Sequence, residues 1–335
     1  MLTYFSIKNY RSFGHEFWLE LRTSMGNQWQ YLSKILITGQ NGVGKTNLCR
    51  AIMDIRNTFM EKVPYWDDCE DFLNADSNAD TARFHYGFKF KNNYIDYSYE
   101  KTSQDTMAKE EMKLNNRFVY SVDFRTGTLC VDQTQMYYIG AGAIDVNKYS
   151  AIPQNAQTGT EKTTPFLRWL TYHATFTYDC ILMQMSAFIM KMDFICPASA
   201  NASRWAMFTK DVENKHQLHG LERFLNEMGI DCELMMKDNE GKKELYIAKT
   251  NPIQFFPNAS TGTLALCMLY DASILSSTFP SLLIVDELDS GLSEESAEKA
   301  AKYLANLSGQ VIMTTHSGAL VEKGIFEKEI RITQR

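Results

Sequence analysis

Apolar side chains along the chain switch between a two-residue and a helical period. Leu2–Ile7 alternates moderately, and Phe17, Leu19 and Leu21 fall on one face of a second stretch, as half-buried strands require. Ile35–Thr38 is a short apolar run that stops at Gly39. A helix is expected after the glycines, about Lys45–Thr58, with Leu48, Ile52 and Ile55 on one face. Residues 61–80, rich in Asp and Asn, read as a loop or a weakly ordered helix. Phe84–Phe90, Asn93–Glu100 and Arg117–Phe124 carry the aromatic alternation of antiparallel strands, with a hairpin turn at Lys91-Asn92-Asn93. Residues 125–162 read as an irregular insertion and Thr163–Met192 as one or two helices. His216–Glu227 is amphipathic, and Cys232–Met236 and Glu244–Ala248 suit strands joined by the turn Asp238–Lys242. The chain then predicts a helix from Ser260 to about Leu275, a strand Leu282–Val285, a helix Glu294–Leu307, a strand Val311–Thr314 and a last strand within Ile325–Ile332.

Both ends of the chain are therefore α/β in pattern, and the middle is mixed. Residues 1–60 and 255–335 are expected to build one core. Residues 61–162 are expected to form a β-rich subdomain, and 163–254 a helical and mixed lobe. No internal repeat or low-complexity tract is visible.

Composition narrows the classes. The 335 residues are 44% hydrophobic and 13% aromatic, enough for a sizeable core. A net charge of -6 and a pI of about 5.6 argue against a protein that coats DNA, though not against a local basic patch. The seven cysteines, at 49, 69, 130, 180, 196, 232 and 267, form no C-x-x-C pair and no zinc-like cluster. They read as reduced thiols, and a cytoplasmic location is expected. The start MLTYFSIKNYRSF lacks the basic and apolar regions of a signal peptide. No stretch approaches the ~18 apolar residues of a membrane span, and no membrane partner is expected. Cys180–Met192, the richest apolar segment, is broken by Gln184, Ser186 and Lys191 and reads as a buried helix.

Candidate chemistry begins at Gly39-Gln40-Asn41-Gly42-Val43-Gly44-Lys45-Thr46, which fits G-x-x-x-x-G-K-[ST] between an apolar strand and an amphipathic helix. Glycines let backbone N–H groups turn inward around phosphate oxygens, and the helix offers its positive N-terminal end to the same anion. The expected phosphate-binding set is Asn41, Gly42, Gly44, Lys45, Thr46 and Asn47. Lys45 would reach the β- and γ-phosphates of ATP, and the Thr46 hydroxyl would hold Mg²⁺. Leu282–Val285 is a four-residue apolar run that ends in Asp286-Glu287, as a central parallel strand would. Ligands of open α/β sheets bind at such carboxyl ends. Asp286 is expected to hold Mg²⁺, and Glu287 to polarise an attacking water as general base. Ser260 precedes an apolar helix and is expected to cap it, leaving N–H groups near Gly262 free to face an anion. His316 ends a further strand, one helix beyond the acidic pair, where a sensor of the γ-phosphate belongs.

The order of these motifs resembles that of ABC-type ATPases. More narrowly it is similar to the RecF, SMC-like and overcoming-lysogenization-defect (OLD) group, whose opening strand and turn Phe5-Ser6-Ile7-Lys8-Asn9-Tyr10-Arg11-Ser12-Phe13 resembles. The resemblance implies an α/β ABC-type P-loop core with an antiparallel β subdomain and an inserted helical lobe. It implies that Ser260 and Gly262 stand at the signature motif and close over the ATP held by a second subunit, in a two-fold homodimer or higher homo-oligomer. Asp286 and Glu287 match Walker B, His316 the switch histidine, and Arg11 a nucleotide-contacting arginine. Gln104, Gln133 and Gln135 are all candidates for the Q-loop glutamine, and none is singled out. The signature reads Ser-Thr-Gly-Thr instead of Leu-Ser-Gly-Gly-Gln, and Gly291-Leu292-Ser293-Glu294 stands where many relatives have Leu-His-Pro. Nineteen residues follow His316, too few for a Toprim nuclease domain, and no long heptad run is present.

The resemblance implies a slow ATPase subunit of an antiphage defence system that controls a separately encoded effector, a nuclease or a toxin. The alternative is a RecF-like DNA repair ATPase, which would bind nucleic acid with strong salt dependence.

Overall fold

The computed structural model describes residues 1–26, 28–60, 71–151, 163–175, 179–196, 202–239 and 241–333. Cys69, residues 61–70 of the expected loop and residues 152–162 of the expected insertion lie outside that set. In chain order the strands are β1 (Leu2–Lys8), β2 (Phe17–Glu20), β3 (Arg22–Met25), β4 (Gln28–Tyr31), β5 (Lys34–Thr38), β6 (Ala82–Phe90), β7 (Asn93–Lys101), β8 (Met107–Leu114) and β9 (Arg117–Asp123). They continue with β10 (Thr128–Val131), β11 (Met192–Ile195), β12 (Leu234–Asn239), β13 (Lys242–Ile247), β14 (Ile253–Gln254), β15 (Leu282–Val285), β16 (Gln310–Thr315) and β17 (Lys328–Arg331).

The chain divides into two compact units. The first comprises Met1–Leu32 and Asn47–Met192, the second Ser33–Thr46 and Asp193–Arg335. This differs from the expected boundaries at 60 and 255. The reason is strand pairing. β1 lies antiparallel between β2 and β6, so the opening residues join the β-rich sheet and not the parallel one. A pairing across some 80 positions leaves no mark on local periodicity.

The first unit is built on a seven-stranded sheet of order β10-β9-β8-β7-β6-β1-β2. Its inward aromatics, among them Phe5, Phe84, Tyr86, Tyr97, Tyr99 and Tyr120, are fully buried. β8 (Met107–Leu114) lies between the expected strands Asn93–Glu100 and Arg117–Phe124 and was not itself among them. It is a full strand whose inward row includes the buried carboxylate Glu110, and that polar residue hides the alternation. Glu110 accepts from the N–H groups of Phe166 and Leu167 at 2.6 and 2.9 Å and from the hydroxyls of Tyr97 and Tyr120 at 3.1 and 2.8 Å. It thereby caps the helix Phe166–His173 from the sheet. Burial pushes its pKa upward, and these donors oppose the shift. The stretch expected to be irregular holds β10 and a helix Gln133–Ile139 capped by Asp132 and Gly140.

A buried ion pair ties the helix Lys45–Phe59 to this sheet. Lys101 Nζ at the end of β7 lies 3.0 Å from Asp54 Oδ2, with side-chain exposures of 2% and 3%. Tyr99 and Thr58 also donate to Asp54, and Tyr86 donates to Ala51 O. Removing one partner strands the other charge, so Lys101→Met is expected to lower unfolding free energy by about 3–5 kcal/mol. Asp54→Asn together with Lys101→Met should recover much of the loss. Urea denaturation of the wild type, both single variants and the pair checks this.

The second unit holds the sheet β11-β15-β16-β5-β17, in which β15, β16, β5 and β17 run parallel. β5, β15 and β16 are buried along their whole length, as strands covered on both faces must be. One side of the core packs Leu283, Val285, Val311 and Met313 with Ala265, Leu266 and Leu269 of the helix Thr261–Tyr270. The helical run reaches Leu275 as expected, its α-helical part passing at Tyr270 into a π-helical turn over Asp271–Leu275. The helix Ala202–Asn214 and the edge strand β11 were not anticipated. A small sheet β12-β13-β14 completes the unit.

Candidate functional site

The parallel register brings the carboxyl ends of β5, β15 and β16 side by side. Val285 pairs with Met313, and Thr315 pairs with Thr38, so the next residues of all three strands fall together. They are the glycine-rich loop, Asp286-Glu287 and His316.

The loop turns on glycines. Gly42 and Gly44 have φ of 80° and 101°, a region that side chains disfavour. Asn41 is exposed at its tip, and Lys45 is 3% exposed at the first position of the following helix. Lys45 Nζ donates to Gly39 O at 2.9 Å and Gln40 O at 3.0 Å, and it lies 2.9 Å from His316 Nδ1. An ammonium only donates, so Nδ1 is the acceptor and the ring proton of neutral His316 sits on Nε2. Nε2 in turn lies 2.6 Å from Glu287 Oε1 and donates to it. Lys45, His316 and Glu287 thus form one hydrogen-bonded line. Glu287 and His316 each keep a third of their side-chain surface open.

Thr46 Oγ1 donates to Asp286 Oδ2 at 2.7 Å. A hydroxyl and a carboxylate side by side are hard oxygen ligands, the kind that suits Mg²⁺, which holds few protein groups and keeps several waters. The residues fit that ion. Among the described residues no group of three or more His, Cys, Asp or Glu side chains gathers at metal-binding distance.

Ser260 caps the helix Thr261–Tyr270 as expected, accepting from Thr263 N at 3.1 Å. Gly262 has a further reason to be glycine. A Cβ there would stand 2.5 Å from Gly291 O and 2.7 Å from a Leu292 methyl. The signature-like turn is therefore packed directly on Gly291-Leu292, and Ser293 caps the next helix through Ser296 N at 3.2 Å.

Arg11 and Asn47 lie in the first unit and meet there. Arg11 Nη1 donates to Asn47 Oδ1 at 3.2 Å, and Asn47 Nδ2 donates to Ser12 Oγ at 3.0 Å. The Arg11 backbone has φ of 46° and its N–H donates to Phe72 O at 3.2 Å.

Sequence reasoning passed over two residues at this site. Thr314 Oγ1 donates to Asp286 Oδ1 at 2.7 Å and accepts from Glu287 N at 3.0 Å. Thr315 Oγ1 donates to Asp289 Oδ2 at 2.6 Å and accepts from Ser317 N at 2.9 Å. The available signal was two successive hydroxyls closing the apolar run Val311–Met313, directly before the histidine.

The chain matches no family model and no curated protein. It is similar in structure to the SMC head bound to the C-winged helix domain of ScpA, at TM-score 0.53 and 12% identity over 100% of this chain and 94% of that one. It is also similar to the Smc head domain with an extended coiled coil bound to the C-terminal domain of ScpA derived from Pyrococcus furiosus, at TM-score 0.54 and 11% identity over the same shares. At such identities the likeness is one of fold, and it reaches both units: the chain has the mixed α/β fold of SMC heads, the ABC-type ATPase fold.

Proposed function

We propose that the chain binds ATP with Mg²⁺ and hydrolyses it slowly to ADP and phosphate, as a dimer that closes around the nucleotide. The observation that carries this is the convergence of Lys45, Thr46, Asp286, Glu287 and His316 at three adjacent strand ends, separated by up to 271 positions in sequence. Backbone N–H groups of Asn41, Gly42, Gly44 and Lys45 cradle the phosphates, with the helix N-terminus behind them. Lys45 exchanges its two carbonyl partners for phosphate oxygens and keeps its third donor on His316 Nδ1. Thr46 and Asp286 hold Mg²⁺, which neutralises charge on the phosphates when bound. Glu287 takes a proton from the attacking water, and His316 Nε2–H holds the Glu287 carboxylate in line for that transfer. Ser260 and Gly262 of one subunit close over the ATP held by the other, an isologous arrangement.

We further read the ATPase as the sensor of an antiphage defence system that acts on a separately encoded effector. The support is the resemblance of residues 5–13 and of the motif order to the OLD group, together with the bound ScpA domains of the two similar SMC heads. Native mass of the purified chain with ATP and Mg²⁺, alone and co-expressed with the products of adjacent genes, tests it. A partner complex whose stoichiometry follows ATP supports the reading. A bare dimer that binds only DNA would replace it with the RecF-like one. A chain that neither binds nor hydrolyses ATP would end both.

A further inference from the structure

We infer that Thr314 is a positioning residue for both carboxylates of the site, its single hydroxyl fixing the Asp286 side chain and the Glu287 backbone together. Thr314 is fully buried near the end of β16. The parallel register that pairs Met313 with Val285 carries Thr314 alongside Asp286. A buried hydroxyl on a central strand is costly unless bonded. Here its proton goes to Asp286 Oδ1 at 2.7 Å and a lone pair accepts Glu287 N–H at 3.0 Å. A hydroxyl has one proton and two lone pairs, so the two roles do not compete.

Two consequences follow for the chemistry. Asp286 Oδ2 accepts from Thr46, so the carboxylate is held by a hydroxyl at each oxygen and its remaining lone pairs point in fixed directions. A carboxylate that cannot rotate presents the same oxygen to a cation every time. Glu287 has φ of 51°, a backbone region unfavourable for a residue with a side chain. The bond from its N–H to Thr314 holds the peptide that enters this turn, and the turn aims the side chain at His316 Nε2. Thr315 has a separate task, since its hydroxyl holds Asp289 and the Ser317 N–H. The two neighbouring hydroxyls therefore divide the acidic loop between them.

The inference rests on the reading of this site as one for ATP and Mg²⁺. Wild type, Thr314→Val, Thr314→Ala and Thr314→Ser are compared in two assays. One is ATP turnover against free Mg²⁺, and the other is calorimetric ATP binding with Mg²⁺ and with EDTA. A buried hydrogen bond to a charged group governs about tenfold to a hundredfold in an equilibrium or rate, and valine and alanine are expected to lower kcat by that factor. Both should raise the Mg²⁺ concentration for half-maximal turnover and weaken ATP binding in Mg²⁺, with affinity in EDTA unchanged. Serine keeps the hydroxyl and should keep kcat and the Mg²⁺ requirement within about threefold of wild type.

Valine is β-branched and matches the strand, and alanine is a second route should valine not fold, as judged by thermal melting. Wild-type kcat and Mg²⁺ dependence in a folded valine or alanine variant overturns the inference. So does a serine variant as impaired as valine, which would assign the effect to the methyl group. Should neither valine nor alanine fold, the serine result alone decides. If wild type shows no ATP binding or turnover, the nucleotide reading itself has failed, an outcome separate from any difference among the variants.

Discussion

Glu287→Gln is expected to lower ATP turnover by about a hundredfold or more while ATP binding persists, because an amide cannot accept the proton of an attacking water. The substitution changes little else. Gln Oε1 can still accept from His316 Nε2–H, as Glu287 Oε1 does at 2.6 Å. The Glu287 N–H bond to Thr314 involves only the backbone, so the left-handed turn at φ 51° is kept. The expected species is an ATP-loaded dimer that opens slowly, since in the proposed mechanism hydrolysis is the step that releases closure. Size exclusion with light scattering, run with ATP and Mg²⁺ and again with ADP, reads it directly. A persistent dimer with ATP and a monomer with ADP is the predicted pair of results. Monomers in both would remove the mechanism of a dimer closing around the nucleotide, and undiminished turnover would remove Glu287 as the base.

The parts of this site that were legible in sequence are those whose chemistry is local. The run from Gly39 to Thr46 announces itself by glycines beside a lysine and a hydroxyl, and Leu282–Val285 by four apolar residues before two carboxylates. His316 was placed by order, one helix after the acidic pair. What stayed hidden depends on contacts between distant strands. Thr314 and Thr315 read as ordinary strand formers until register sets them beside Asp286 and Asp289. Gly262 read as an anion-facing residue, and its close approach to Gly291 belongs to tertiary packing. In the first unit, Glu110 broke the alternation of β8 because a carboxylate can occupy an inward position when four donors satisfy it. The allegiance of residues 1–32 followed from β1 pairing with β6, which no local pattern encodes.

Lys45→Ala should weaken ATP binding by about tenfold to a hundredfold, the weight of a charge-assisted hydrogen bond, and abolish turnover. The loss extends beyond one phosphate contact. Lys45 is 3% exposed, and its ammonium donates to Gly39 O, Gln40 O and His316 Nδ1. Alanine leaves the two carbonyls of the loop and the imidazole without that donor. Nδ1 no longer has a cation to accept from, so the His316 tautomer that presents Nε2–H to Glu287 loses its anchor. The variant therefore combines weaker binding with a general base that is less well held. Lys45→Arg keeps the charge, but a planar fork of five donors does not reproduce an ammonium seated among two carbonyls and a ring nitrogen. It should bind ATP better than the alanine variant and still turn over poorly. Calorimetric titration with ATP and Mg²⁺, paired with phosphate release, separates the two effects. Alanine and wild type binding alike would show that the glycine loop serves some other anion, and full turnover in the arginine variant would show that charge alone, without the Lys45–His316–Glu287 line, sustains the chemistry.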